Sequence, residues 1–259
     1  MSARPVVTLL TDFGTSDPYV GMMKGVIAGI CPEANVIDLT HEVLPQDVRL
    51  GAFFLERAFR FFPPGTVHVA VVDPGVGTLR RRIAVAAGGH TFVGPDNGLL
   101  GLAAPRGRAV RLARPSLFLP HVSNTFHGRD VFAPVAAHLA RGASLAELGP
   151  ALPRYERLAW PKPRKSASGL RAEVVSVDRF GNLVTNVEPS HWRVLRRPRV
   201  VAGGVELTRL ESSYRAARKP GDLLLVFGGY GLLEIAAREA SAAARLALRV
   251  GSALRIESR

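Results

Sequence analysis

Four short motifs place groups able to do chemistry beside glycines. They are Thr11-Asp12-Phe13-Gly14, Val72-Asp73-Pro74-Gly75-Val76-Gly77, Gly94-Pro95-Asp96-Asn97-Gly98 and Phe126-His127-Gly128-Arg129-Asp130. A fifth, Asp178-Arg179-Phe180-Gly181-Asn182, follows later in the chain. Together they offer carboxylates, an imidazole, guanidinium groups and an amide, an inventory suited to proton transfer and to binding a polar ligand. Asp73 stands on a Pro-Gly turn, and Arg80 follows near enough to pair with it. Arginine stays protonated near neutrality, so Arg80 would orient a partner and balance its charge rather than act as a base. His127 lies between Phe126 and Gly128 just ahead of a helix start, a setting that favours an accessible imidazole.

Each motif also has an architectural reading. Asp12 could cap a helix N-terminus, or its carboxylate could accept the two hydroxyls of a ribose. Asp73 could be the first residue of a tight turn. Its glycines do not follow the G-x-G-x-x-G pattern and lead into Thr-Leu-Arg, so a dinucleotide fingerprint is rejected. Asp96-Asn97 could be a simple turn. A hairpin turn accounts for Gly181, but not for an aromatic side chain between two polar ones. Asp178, Phe180 and Asn182 together suit a ligand that carries both an ammonium and a carboxylate. The close ligand pairs of a metallophosphoesterase, such as D-x-H or H-x-x-x-H, are missing, so no metal site is expected.

These residues need strands to carry them. Val6–Leu10, Asn35–Leu39 and Val67–Val72 read as short buried strands. The spacing predicts a helix from Pro18 to Ile30 and another from Asp47 to Arg60, the latter stopped by Pro63-Pro64-Gly65. Arg82–Ala87 and His90–Val93 read as two more strands, and Asp130–Arg141 as a helix. Alternating strands and helices predict an α/β domain around a central, mostly parallel sheet. In such a sheet ligands sit outside the carboxyl ends of the strands, where several of the motifs lie. Composition shifts at Pro161-Lys162-Pro163-Arg164-Lys165-Ser166. We therefore expect an N-terminal α/β catalytic domain over 1–160, a linker over 161–169 and a smaller C-terminal β-barrel domain over 170–259. The last is built from short strands at Glu173–Val177, Leu183–Val187, Arg199–Val201, Leu223–Phe227, Leu232–Ala236 and Ala253–Ile256.

Composition bounds the possibilities. The chain has 259 residues and is 47% hydrophobic, enough for a sizeable core. No apolar stretch approaches about 18 residues and no charged-then-apolar leader opens the chain, so neither a membrane span nor a signal peptide is expected. Cys31 is the one cysteine, which excludes an internal disulfide and a cysteine-based zinc cluster, and fits a reducing, cytoplasmic setting. The net charge of +13 raises the question of a polyanionic partner. Yet 30 of the 34 basic residues are arginine, scattered through a chain also rich in Ala, Gly, Pro and Leu. Few aromatics accompany them, so no nucleic-acid partner is expected.

The succession of motifs, with Asp38-Leu39-Thr40-His41-Glu42 and Pro45-Gln46-Asp47 between the first two, resembles the S-adenosyl-L-methionine (SAM) hydroxide adenosyltransferase family, relatives of the fluorinating and chlorinating SAM enzymes. The resemblance runs in order along nearly the whole chain. It implies hydrolysis of SAM to adenosine and L-methionine, by water or hydroxide attacking the ribose C5′. It implies a homotrimer with SAM held between the N-terminal domain of one subunit and the C-terminal domain of the next. The family's catalytic Asp, Arg and His fall on Asp73, Arg80 and His127. Asp12 matches the ribose carboxylate, and Asp178 and Asn182 match contacts to the methionine and adenine parts, with Phe180 beside them. Phe126 joins the substrate-binding set. Tyr214 falls where the halogenating relatives place an aromatic over the adenine. No metal or organic cofactor is implied. Those relatives have Tyr and Ser where this chain has Asp73 and Gly128, and a carboxylate beside the nucleophile would repel a halide. They also have Ser-Arg where this chain has Gly229-Tyr230, so the methionine carboxylate must be held by another arginine or by backbone N–H groups.

Overall fold

A computed structural model describes residues 4–258 of the protein, and the chain divides between Ala159 and Trp160 into two compact units. The first is a three-layer α/β unit. Its sheet runs β2 (Asn35–Thr40), β1 (Val6–Thr11), β3 (Val67–Val71), β5 (His90–Pro95), β4 (Arg82–Ala87), β6 (Arg108–Arg111) and β7 (Ala151–Leu152). β2, β1, β3 and β5 are mutually parallel, while β4, β6 and β7 join by antiparallel pairings. Because β6 is antiparallel to β4, it runs with the parallel set. The sheet is thus mostly parallel in direction, as expected. The chain leaves β1 to one side for β2 and returns to the other for β3, so the strand order reverses at β1.

Alternation along the strands builds the two cores. Val7 and Leu9 of β1 and Val67, Val69 and Val71 of β3 face α1 (Tyr19–Ile30) and α3 (Ala133–Ala140). Leu10, Ala70 and Val72 face the other way, toward α2 (Val48–Ala58). Helix α2 starts where the sequence says it should. Asp47 is its N-cap, with the side chain accepting from Leu50 N–H at 2.9 Å. The helix ends earlier than expected, at Ala58, and tightens into a 3-10 turn over Phe59–Phe61 before the prolines. The helix expected from Asp130 begins instead as a π-helical turn over Gly128–Phe132, with regular α-helix only from Ala133. β6 and β7 are short strands that the sequence reading passed over.

The second unit is an antiparallel, nearly closed barrel-like sheet. Its order is β12 (Val205–Leu207), β11 (Arg199–Ala202), β15 (Ala253–Glu257), β9 (Gly169–Val177), β10 (Leu183–Thr185), β14 (Leu233–Ala237) and β13 (Leu223–Phe227). Glu211 N–H donates to Leu225 O at 2.8 Å, tying the segment after β12 to β13 at the other end of the row. Within the stretch expected as a linker, Arg164–Ser166 form β8, hairpinned onto β9 by antiparallel pairing. Two short helices, α4 (Pro189–Arg193) and α5 (Ala242–Leu246), complete the unit. The core is aliphatic: Leu170, Val174, Leu183, Leu225, Leu233, Ile235 and Ile256 are all buried. Among the described residues no helix is long and apolar enough to cross a membrane.

One core feature is polar. His68, fully buried on the α2 side of β3, lies between Thr8 and His90. With Thr8 donating its hydroxyl proton to His68 Nδ1 (2.7 Å), His68 Nε2–H donates to His90 Nδ1 (3.1 Å). Phe92 stacks on the His68 ring, and Phe59 and Phe62 meet it edge-on. Burial, helped by the neighbouring His90, pushes the His68 pKa down from 6.5 to about 3. The folded ring is therefore neutral. Below pH 6.5 the unfolded chain takes up a proton that the folded one refuses, so stability present above that pH is lost as pH falls toward 3. Between pH 7.5 and 5 this group alone should cost about 2 kcal/mol. Burial lowers His90 in the same sense. Urea denaturation at the two pH values should show the loss, with a flatter dependence in His68→Gln. An equal slope in the variant would show that the acid sensitivity arises elsewhere.

Candidate active site

The carboxyl ends of β1 and β3 open into a cavity of about 340 Å³, lined by Asp12, Phe13, Pro45, Gln46, Asp73, Phe126 and His127 among others. Asp12 is the first residue past β1 and Asp73 the second past β3, so two adjacent parallel strands deliver carboxylates to the same crevice. His127 comes from the loop that leads into the π-helical turn.

Asp73, Arg80 and His127 form one bonded group. Arg80 Nε donates to Asp73 Oδ1 at 2.8 Å and its Nη2 to Asp73 Oδ2, a two-pronged pairing. The same Nη2 lies 2.7 Å from His127 Nδ1. The two side chains of the ion pair are only 10% and 5% exposed, so removing either would leave a buried charge, at a cost of about 3–5 kcal/mol. The guanidinium also lies over the Phe132 ring, 5.5 Å from its centroid. The turn carrying Asp73 is held by Val76 N–H to Asp73 O (3.2 Å) and Thr78 N–H to Gly75 O (3.2 Å). Gly77, at φ +78°, is required there: a Cβ would lie 2.5 Å from Asn124 O.

A guanidinium has only donors, so His127 Nδ1 must accept, and the ring proton of the neutral imidazole belongs on Nε2. The His127 pKa is lowered, chiefly by burial, then by the positive charges of Arg80 and Arg82, with Asp73 and Asp130 pulling the other way. His127 is thus a neutral ring with one N–H to offer.

Asp12 accepts Gln46 N–H at its Oδ2 (2.8 Å). Gln46 adopts φ +66°, in the left-handed region that is uncommon for a residue with a side chain. Phe13, Tyr19 and Phe126 meet edge-to-face, with centroids 5.2–6.0 Å apart, and Arg129 lies over Phe126 at 5.0 Å.

Other motif residues turn out to be clamps. Buried Asp96 accepts from Arg81 Nε (2.6 Å) and Glu156 N–H (2.7 Å). Asn97 Nδ2 donates to Val72 O (2.9 Å), which fixes the backbone just before Asp73. Asp130, fully buried, accepts from Arg129 Nε (2.6 Å) and Ser123 N–H (2.8 Å), closing the loop that carries His127.

The remaining candidates stand in the second unit. Asp178 Oδ1 accepts the N–H groups of Phe180 (2.9 Å) and Asn182 (2.8 Å), and Oδ2 accepts from Asn182 Nδ2 (2.8 Å). The β9–β10 hairpin loop is thus set by its own carboxylate, and Phe180 is left 76% exposed at its tip. Tyr214 donates its hydroxyl to Glu234 Oε2 at 2.7 Å. Glu234 was not singled out from the sequence, although a carboxylate in the middle of the apolar run Leu232–Ala237 was the available signal. Burial, followed by the negative charge of Asp178, raises its pKa, while the Tyr214 hydrogen bond opposes the rise. Gly228 makes room for it, since a Cβ there would lie 1.8 Å from the carboxylate. Burial also raises the Tyr214 and Tyr230 hydroxyl pKa values, with Glu234 and Asp178 adding to the rise.

Residues 7–149 match the SAM hydroxide adenosyltransferase N-terminal domain, and residues 172–255 its C-terminal domain. The "(R)-S-adenosyl-L-methionine hydrolase" of Salinispora arenicola is 42% identical over 269 residues, covering 99% of both chains. A "Fluorinase" from Actinoplanes sp. is 31% identical over 216 residues, 72% of each chain. The crystal structure of an uncharacterized conserved protein from Thermotoga maritima superposes with a TM-score of 0.89 at 38% identity, covering 96% of this chain and 99% of that one.

The geometry around His127 makes a spectroscopic prediction. Nitrogen-15 NMR should find its ring neutral at pH 7.5 with the proton on Nε2. Arg80→Met should raise its pKa, because it removes a positive charge and leaves the Asp73 carboxylate unpaired beside the ring. A ring protonated at pH 7.5 in the wild type would contradict the assignment.

Proposed function

The chain belongs to the SAM hydroxide adenosyltransferase family, and we infer from this that it is an S-adenosyl-L-methionine hydrolase forming adenosine and L-methionine. The observation that supports the reading best is the buried Asp73–Arg80–His127 group at the wall of a cavity that also holds Asp12.

In the proposed reaction a water oxygen forms a bond to the ribose C5′ while the C5′–S bond breaks. Its electron pair returns to sulfur and leaves methionine as a neutral thioether. The sulfonium is already a good leaving group, so the protein's task is alignment and removal of one proton. As the O–C5′ bond forms, the attacking oxygen becomes acidic, and a carboxylate suffices to take the proton. Asp73 is that acceptor. Arg80 fixes its orientation, and His127 Nε2–H holds the water by donating to one of its lone pairs. The step balances without a metal or an organic cofactor.

Asp12 receives the ribose hydroxyls, with Phe126 against the sugar. Asp178, Phe180, Asn182 and Tyr214 hold the adenine and methionine ends, with the chain acting as a homotrimer whose sites lie between subunits. The proposed setting is the cytoplasm, with no nucleic-acid partner. The Asp73 carboxylate disfavours a halide nucleophile by charge repulsion, and the fluorinase relative is less similar than the hydrolase, at 31% against 42% identity.

Purified protein incubated with SAM should release adenosine and methionine in equal amounts, unchanged by excess chloride or fluoride. A 5′-halo nucleoside on chromatography would reassign the reaction. Asp73→Asn keeps the size of the side chain but removes the base and one acceptor for Arg80, so in a variant shown to be folded by circular dichroism kcat should fall by roughly 10²–10⁴-fold while calorimetric SAM affinity stays within a few-fold. Near-normal turnover in that variant would remove Asp73 from the role.

A further inference from the structure

His41 has no part in the proposed reaction, yet it is bonded to the turn that carries Asp12. The ring is 4% exposed. Its Nδ1 lies 2.8 Å from the hydroxyl of buried Thr11. Its Nε2 lies 3.0 Å from Asp38 Oδ1, in a contact bent away from a linear hydrogen bond. Asp38 is in turn held by Lys24 Nζ at 2.6 Å. The carboxylate beside Nε2 favours the proton there, so Nδ1 accepts from Thr11. Thr11 Oγ1 keeps a lone pair for Phe13 N–H, at 3.2 Å. The hydrogen-bonded chain thus runs from the imidazole through Thr11 to the backbone of the residue after Asp12, with the Asp38–Lys24 pair as a charged neighbour of Nε2.

The backbone of His41 makes the other half of the clamp. Its carbonyl accepts Gly14 N–H at 2.8 Å. His41 therefore bonds to the turn on both sides of Asp12: at Thr11 by its ring and at Gly14 by its backbone. Five residues on, Gln46 N–H reaches the Asp12 carboxylate itself. The position is set up by an irregularity in β2. Leu9 pairs with Asp38 but Leu10 pairs with Thr40, so Leu39 is an extra residue at the end of β2. Buried Val43 anchors the same segment.

An apolar side chain would fill this space without needing partners. A buried imidazole is costly to desolvate, and what its Nδ1 bond to Thr11 adds is direction. We propose that His41 is a positioning residue for substrate binding, acting through Thr11 to aim Asp12 at the ribose hydroxyls of SAM. The proposal rests on the ribose-binding reading of Asp12 given above.

The test compares steady-state kinetics of wild type, His41→Leu, His41→Asn, Asp12→Ala and the His41→Leu/Asp12→Ala pair. SAM and its 2′-deoxy analogue serve as substrates, and thermal unfolding reports whether each variant is folded. His41→Leu should raise KM for SAM by roughly tenfold and change kcat by less than about threefold. His41→Asn, whose amide carbonyl can accept near the place of Nδ1, should recover most of the loss. The KM penalty should shrink to about twofold or less in the Asp12→Ala background, and shrink with the deoxy analogue. Thr11→Val, nearly equal in volume, should reproduce the pattern if His41→Leu fails to fold. A penalty of the same size with Asp12 removed would overturn the proposal and make His41 a support of the fold alone. If Asp12→Ala itself leaves KM unchanged, the ribose reading has failed first, and the proposal falls with it.

Discussion

A guanidinium buried between a carboxylate and an imidazole is the constraint around which the first unit is arranged. A buried charge is tolerable only when its partner is held in good geometry, and Arg80 gets this from Asp73 on one side and from the face of Phe132 on another. Much of the surrounding sequence serves that geometry. Gly77 lets the turn pass close under Asn124, and Asn97 pins the carbonyl before Asp73. Asp130 closes the loop that brings His127 into contact. The proton on the imidazole then has one place to go, because the guanidinium offers only donors.

The two units contribute carboxylates of opposite character. Asp73 is paired with a cation. Glu234 is buried beside a tyrosine hydroxyl and within reach of the negative charge of Asp178, and its pKa is raised accordingly. Asp178 itself spends its oxygens on its own loop. Burial and a second carboxylate make Glu234 a site that favours a proton or a cationic neighbour, against the pull of the Tyr214 hydroxyl.

What the sequence revealed, it revealed through local rules. The apolar runs of β1, β2 and β3 are bounded by polar residues, and alternation decides the rest. Asp47 announces α2 because capping is a local bond. Asp73 with Arg80 was visible because the two lie on one turn. The contact of Arg80 with His127 spans 47 residues and was not visible as a contact, only as a resemblance. Asp96 could be read equally as a turn or a ligand, and its partner Glu156 N–H, 60 residues on, decides for a clamp. β6, β7 and β12 were missed because strands of two to four residues carry too few positions for a pattern. Glu234 was missed because one charge in an apolar strand is outvoted by its neighbours.

The π-helical turn at Gly128–Phe132 has a consequence of phase. Relative to regular α-helix it carries an additional residue, and each residue corresponds to about 100° around the helix axis. His127 and Asp130 lie at or within that turn, while Ala133, Val135, Ala136 and Ala137 beyond it pack into the core. The angle between the His127 ring and the core face is therefore fixed by the number of residues in this segment as much as by their identity. Losing one residue from 128–132 would leave Asp73, Arg80 and His127 all present and still rotate the imidazole away from Arg80. In this stretch the chain is intolerant of changes in length, where an ordinary surface loop would absorb them.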